Sequence, residues 1–122
     1  MIETIVSLEL PVGEHLAIRR NRFCYKEDTK SLGRVAVVSG THGDELEGQY
    51  ICYEVARRIA AQPEHLTGIV DIYPALNPLG VDLASKVLPV TGMDLNRMFP
   101  GSRDGSAMEQ IAAAVMDDLL GV

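Results

Sequence analysis

The sequence predicts an α/β fold, and three features predict it. An apolar run, Val35-Ala36-Val37-Val38, reads as a buried strand. A stretch with helical spacing follows it, and then a second apolar run, Ile69-Val70-Asp71-Ile72-Tyr73. Strand, helix and strand of these lengths form a βαβ unit, whose strands lie parallel and are joined by a right-handed crossover.

The other elements follow along the chain. Ile2 to Leu10 alternates loosely and is β-rich, and Pro11-Val12-Gly13 breaks it. Leu16 to Tyr25 is predicted as a second strand, antiparallel to the first across that turn. Its Arg19-Arg20-Asn21-Arg22 cluster is expected to face water, with a substrate as the alternative. Lys26 to Gly33 is polar and reads as a loop, and Arg34 to Ser39 is the first strand of the βαβ unit. From Asp44 to Ala61 the apolar residues Leu46, Tyr50, Ile51, Val55 and Ile59 recur at steps of three and four, defining one helical face. Asp44, Glu45 and Glu47 near the start and Arg57 and Arg58 near the end suit the helix dipole. Gln62-Pro63-Glu64-His65 ends the helix, and His65, like His15, reads as a surface histidine. Thr67 to Leu76 is the second strand of the unit, and Asn77-Pro78-Leu79-Gly80 punctuates it. Val81 to Gly105 is a long stretch of weak periodicity, of the kind that is usually functional or mobile. Ser106-Ala107-Met108-Glu109 matches a capping box, and Ile111, Val115, Leu119 and Leu120 give the helix it opens an apolar face. Gly121-Val122 then reads as a turn into a further strand.

Bulk properties narrow the functional classes. The 122 residues are expected to form a single domain, with the 47% hydrophobic and 23% charged composition of a soluble globular chain. A formal net charge of −6 disfavours nucleic acid and anionic membranes as partners. No apolar run approaches the roughly 20 residues that span a bilayer. The start of the chain carries Glu3 where a targeting segment would be basic, so a cytoplasmic location is expected. Cys24 and Cys52 are too far apart for a Cys-x-x-Cys motif, and Cys52 falls among Ile51 and Val55 as a buried thiol.

The chemistry concentrates in Gly40-Thr41-His42-Gly43-Asp44-Glu45-Leu46-Glu47, between the first strand of the unit and its helix. His42 and Glu45, three apart where a loop enters a helix, can turn an imidazole nitrogen and a carboxylate oxygen toward one point. Those are two of the three protein ligands of a catalytic zinc, whose fourth position is left for water. The C-terminal end of a strand is also where open α/β sheets bind ligands. A phosphate-binding loop is the competing reading, but the segment lacks the glycine pattern and Asp44 and Glu45 would repel phosphate. Farther on, Asn96 and Arg97 in Asp94-Leu95-Asn96-Arg97-Met98-Phe99-Pro100-Gly101 can together grip a carboxylate, although a solvated surface loop would look the same.

Three motifs in register extend this reading. Gly40 to Gly48, then Asn77-Pro78-Leu79-Gly80, then Asp94 to Gly101 closely resemble the succinylglutamate desuccinylase/aspartoacylase family, one of the zinc carboxypeptidase-like groups. The resemblance covers roughly residues 33 to 120 and implies a mixed, largely parallel sheet flanked by helices. It implies hydrolysis of the amide bond of an N-acyl amino acid with zinc as cofactor, His42 and Glu45 as metal ligands, and Asn96 and Arg97 on the substrate carboxylate. It also implies that a third zinc ligand, a histidine, lies beyond Val122, with a general-base glutamate later still. Where the family has an arginine that polarises the scissile carbonyl, this chain offers Lys86, which keeps the charge but loses the bidentate fork.

These readings converge on the N-terminal portion of a longer zinc hydrolase that takes a small carboxylate-bearing substrate. The chain alone is expected to be inactive, because two ligands hold zinc weakly and loss of a general base costs about 10²–10⁴-fold. The alternatives are a zinc carboxypeptidase acting on peptide or cell-wall fragments, and a non-catalytic binding domain of the same fold. Exposure of an apolar sheet edge is expected to favour self-association.

Overall fold

The computed structural model of the chain describes residues 1–9, 11–89 and 91–121. Leu10, predicted to end the first strand, and Val122, predicted to lead into a further one, lie outside the described residues. The elements are strands β1 (Ile2–Glu9), β2 (His15–Phe23), β3 (Arg34–Val38) and β4 (Ile69–Tyr73), and helices α1 (Leu46–Ala61), α2 (Pro78–Leu83) and α3 (Ala107–Leu120). Short 3-10 turns occupy Pro11–Gly13, Pro63–His65 and Leu95–Arg97.

The strands form one mixed sheet in the order β1-β2-β4-β3. The predicted βαβ unit is present: β3 and β4 pair in parallel, from Arg34 opposite Ile69 to Val38 opposite Tyr73, with α1 between them in sequence. The predicted antiparallel pairing of β1 with β2 is present too, with an irregularity between Thr4 and Val6. β2 continues antiparallel onto β4, so the parallel pair among the described strands is β3–β4.

Side chains alternate across a strand, and helices cover both faces. On one face Leu16 and Ile18 of β2 and Tyr73 of β4 meet Met108, Ile111, Ala112 and Val115 of α3, with Leu76, Leu88 and Leu95 closing the core. Helix α3 begins where the capping box predicts: the Ser106 hydroxyl accepts from the Glu109 amide at 3.3 Å and donates to the Glu109 carboxylate at 3.2 Å. Gly121 ends it in the left-handed conformation, φ 74°. The stretch from Val81 to Gly105 has structure of its own, because α2 and the Leu95–Arg97 turn punctuate it and buried Leu88 and Leu95 anchor it.

Helix α1 packs on β3 and β4, and the face its periodicity predicts is covered only in part. Leu46, Tyr50 and Ile51 are exposed, while Cys52 is buried as expected and bonds to the Ser39 hydroxyl at 3.3 Å. Gly48 lies against Ser39 as well, so small residues set the close approach, while Val55 and Ile59 of the predicted face are half-buried. Val35 and Val38 of β3, at the open edge of the sheet, are also exposed.

Of the arginine cluster, Arg19 faces water as predicted, but Arg20 and Arg22 turn inward. Arg20 is 8% exposed, and Arg22 grips Asp71 of β4 with two bonds of 2.7 Å. Asp71 is fully buried and also accepts from Arg34. Arg34 reaches the end of α3 as well, donating to the carbonyls of Leu119 at 2.7 Å and Asp118 at 2.9 Å. Arg20 and the Tyr73 hydroxyl complete the set by donating to the Asp118 carboxylate at 2.8 and 2.7 Å. A buried charge must be paired to be tolerated, so carboxylates on β4 and α3 draw these arginines inward. Burial pushes the Asp71 carboxyl up, but hydrogen bonds from Arg22 and Arg34, with their charges, outweigh it and hold the group below its ordinary value. Burial and the adjacent Asp118 carboxylate push the Tyr73 phenol up to about 12.

Candidate functional site

The site is built where β3 ends. Beyond Val38 the chain stays zipped to the segment after β4: the Ser39 amide donates to the Tyr73 carbonyl at 2.9 Å and the Asn77 amide to the Gly40 carbonyl at 2.9 Å. Gly40 has φ 68°, and a Cβ there would stand 2.8 Å from the Ala75 Cα, so this turn requires glycine. The turn delivers His42 to the mouth of the sheet. Next to it, Gly43 donates its amide to the Ser85 carbonyl at 3.0 Å, and its backbone lies directly against Gly80, where any side chain would collide.

The structure brings His42 and Glu45 together as their spacing predicts. His42 Nδ1 lies 2.8 Å from Glu45 Oε2. Glu45 occupies the position just before α1, yet its carboxylate makes no capping bond to the helix and is free to face the imidazole. The other ring nitrogen is also engaged, with His42 Nε2 3.0 Å from Asp94 Oδ1. A carboxylate only accepts, so each contact calls for a proton on its own ring nitrogen, and a neutral imidazole supplies only one of the two. A proton on Nδ1 accounts for the 2.8 Å contact with Glu45, and with that proton removed the same nitrogen and oxygen could both turn to a metal ion. The pair is a nitrogen and an oxygen of the kinds zinc takes, and a carboxylate behind the ring is how metal-binding histidines are usually oriented. Among the described residues, no group of three or more His, Cys, Asp or Glu is arranged to hold a metal.

Asp94 is the residue that sequence reasoning left without a role, although it heads the Asp94–Arg97 motif. Its carboxylate accepts from the Asn96 amide at 3.0 Å and lies 3.7 Å from Arg97 Nε, as well as meeting His42. Burial pushes its carboxyl up, but the Asn96 amide, His42 and the nearby Lys86 charge together hold it below the ordinary value. The available signal was chemical: an imidazole that offers one nitrogen to a metal needs an acceptor for the other.

Asn96 and Arg97 ride on the 3-10 turn anchored by fully buried Leu95. The Arg97 side chain is 81% exposed, so most of its donors remain open to an anion. Lys86 is exposed as well, close enough for its charge to act on Asp94. His15 and His65 are exposed, as their sequence contexts predict.

Comparisons with known proteins identify the family and the fold. The family model of the succinylglutamate desuccinylase/aspartoacylase catalytic domain matches residues 31–121. The chain belongs to that family. An N-alpha-acetyl-L-2,4-diaminobutyric acid deacetylase of Halomonas elongata is 38% identical over 76 residues, which are 62% of this chain and 22% of that protein. Among solved structures, an aspartoacylase family protein of Mesorhizobium loti is 30% identical, with a TM-score of 0.75 over 99% of this chain and 37% of its own. The product-bound ectoine utilization protein EutE of Ruegeria pomeroyi is 27% identical, with a TM-score of 0.75 over 95% of this chain and 34% of its own. A metallo-carboxypeptidase of Burkholderia cenocepacia, 14% identical with a TM-score of 0.73, shares the fold. The chain thus spans between about a fifth and two fifths of the length of these relatives.

Proposed function

We propose that this chain is the N-terminal part of a zinc-dependent amidohydrolase that removes an acyl group from an N-acyl amino acid. The observation that carries the proposal is the three-residue arrangement at His42: Glu45 Oε2 on one ring nitrogen and Asp94 Oδ1 on the other. His42 Nδ1 and Glu45 would hold the metal, with a third ligand from beyond Val122. Zinc, when bound, lowers the pKa of a coordinated water and polarises the scissile carbonyl.

The chain's own residues divide the remaining work. Asp94 keeps the proton of His42 on Nε2 and fixes the orientation of the ring. Arg97, with Asn96 beside it, binds the free carboxylate of the amino acid, and the 3-10 turn sets the distance between that carboxylate and the His42 loop. Lys86 contributes positive charge near Asp94, and such a charge would stabilise a developing oxyanion brought within its reach. A single ammonium stabilises that charge without the two-point grip of a guanidinium. A general base from outside this chain would take the proton of the attacking water, after which the carbonyl–nitrogen bond breaks and the amine leaves protonated.

The identity to a deacetylase of an N-acetylated diamino acid supports an N-acetyl amino acid as the first substrate class to try. The test is acetate release from N-acetyl amino acids by the full-length protein and by its Arg97→Ala variant. The proposal expects turnover in the parent and a KM raised about tenfold or more in the variant, the usual result of losing a charge-assisted bond. Turnover indifferent to Arg97→Ala would remove the carboxylate clamp from the account. A non-catalytic binding domain of the same fold is the second reading, favoured by Lys86 standing where the family has arginine. The charge of −6 supports a small-molecule ligand in preference to nucleic acid. No helix among the described residues is long and apolar enough to cross a membrane, and a cytoplasmic location remains part of the proposal.

A further inference from the structure

The Asn77-Pro78-Leu79-Gly80 motif has no part in the chemistry proposed above, yet Asn77 is fully buried and its side chain is bonded at both ends. Its Oδ1 accepts from the Gly80 amide at 2.9 Å, which caps α2. Its Nδ2 donates to the Val87 carbonyl at 3.2 Å, a bond the helix cap does not need. Its backbone amide donates to the Gly40 carbonyl at 2.9 Å. One residue therefore joins the turn that leads to His42, the start of α2 and the segment that carries Lys86. A second strut closes the loop, because Gly43 donates to the Ser85 carbonyl at 3.0 Å and Ser85 donates back to the Gly80 carbonyl at 2.8 Å. The His42 loop is thus held on both sides of His42 by chain that Asn77 organises, and the close backbone contact of Gly43 with Gly80 leaves little room for it to shift.

We infer that Asn77 is a positioning residue for the metal site: its Nδ2–Val87 bond holds residues 85–87 against Gly43 and so fixes His42 between Glu45 and Asp94. The inference rests on His42 being a metal ligand, and it separates the two arms of one side chain. The Oδ1 arm builds a helix start and the Nδ2 arm builds the site. Asn77→Asp tells them apart, because aspartate still caps α2 but turns an acceptor toward the Val87 carbonyl, which then keeps only the Ser85 hydroxyl, at 3.0 Å, as its donor.

The experiment compares the parent, Asn77→Asp and His42→Ala by cobalt(II) titration and by amide hydrogen exchange. In Asn77→Asp the inference expects Gly43 exchange to rise about tenfold and cobalt affinity to fall about tenfold, with exchange at Ile72 in the central strand unchanged. Gly43 exchange that stays at the parent value overturns it. A rise at Ile72 equal to that at Gly43 also overturns it, because Asn77 would then serve stability in general. If the parent and His42→Ala bind cobalt equally, the metal-site reading falls, while Gly43 exchange in Asn77→Asp still decides whether the clamp exists. A through-hydrogen-bond coupling from the Gly43 nitrogen to the Ser85 carbonyl carbon in the parent checks the strut without any variant. Its presence supports the clamp and its absence overturns it.

Discussion

Replacing Asp94 with asparagine should weaken metal binding without disturbing the fold, and the size of the effect follows from its three contacts. The Asp94 carboxylate lies 3.0 Å from His42 Nε2, 3.0 Å from the Asn96 amide and 3.7 Å from Arg97 Nε. An asparagine oxygen can still accept from both the imidazole and the Asn96 amide, so the local turn survives. What goes is the negative charge, which strengthens the bond to His42 and makes the ring a better donor to a cation. A charge-assisted bond is about twice as strong as a neutral one, a difference of about 1 kcal/mol. Loss of a partner behind a metal ligand generally costs about 10–100-fold in affinity, and the retained oxygen places Asp94→Asn near the lower end, at about tenfold. Asp94→Ala removes both acceptor and charge and should cost about 100-fold. The carboxyl is held below its ordinary value, so the effect should be constant across neutral pH. The assay is zinc competition against a chromophoric chelator, with His42→Ala as reference. Binding by Asp94→Ala within twofold of the parent, in a preparation where His42→Ala loses it, would refute the reasoning.

Three further outcomes are expected. Asp71→Asn leaves Arg22 and Arg34 without their shared anion, and loss of one partner of a buried pair costs about 3–5 kcal/mol, reduced here to about 2–3 because Arg22 is partly solvated. Urea midpoints report it. Because the folded pKa of Asp71 is depressed, its contribution is present above the unfolded value of about 3.9 and disappears as pH falls through the folded one. The parent should therefore lose stability below about pH 4 along a slope that Asp71→Asn lacks, and parallel pH profiles would contradict this. The isolated chain should release no acetate from N-acetyl amino acids above the uncatalysed rate, and rapid turnover would contradict the division of labour proposed here. The open β3 edge, with Val35 and Val38 exposed, should make the isolated chain self-associate. Sedimentation should show a mass that rises with concentration and returns to monomer on Val35→Lys, whereas a concentration-independent monomer mass would exclude it.

What could be read from the sequence was what local chemistry determines. The two apolar runs and the helical spacing between them were enough for the β3-α1-β4 unit, and Ser106 with Glu109 marked the start of α3 to the residue. His42 and Glu45 are three apart, so their meeting needed no knowledge of the fold. The parts that could not be read depend on partners distant in sequence. Arg20 and Arg22 look like a solvated cluster until Asp71, 49 residues beyond Arg22, is placed on the neighbouring strand. Periodicity locates the packed face of α1 only in part, because the helix carries large apolar residues on more than one side: Val55 and Ile59 are half-buried, but Leu46, Tyr50 and Ile51 are exposed. Only the sheet beneath shows that Gly48 and Cys52 face inward. Asp94 was in view within its motif, but its role appears only when a segment 52 residues from His42 folds back onto the ring.

The central claim is that His42 and Glu45 ligate a metal through Nδ1 and a carboxylate oxygen. X-ray absorption at the zinc K edge of the loaded chain tests it most directly. The account predicts a light-atom shell at about 2.0–2.1 Å with imidazole outer-shell scattering, and loss of that imidazole signature in His42→Ala. A spectrum unchanged by His42→Ala, or a sulfur shell at about 2.3 Å from Cys24 or Cys52, would contradict it.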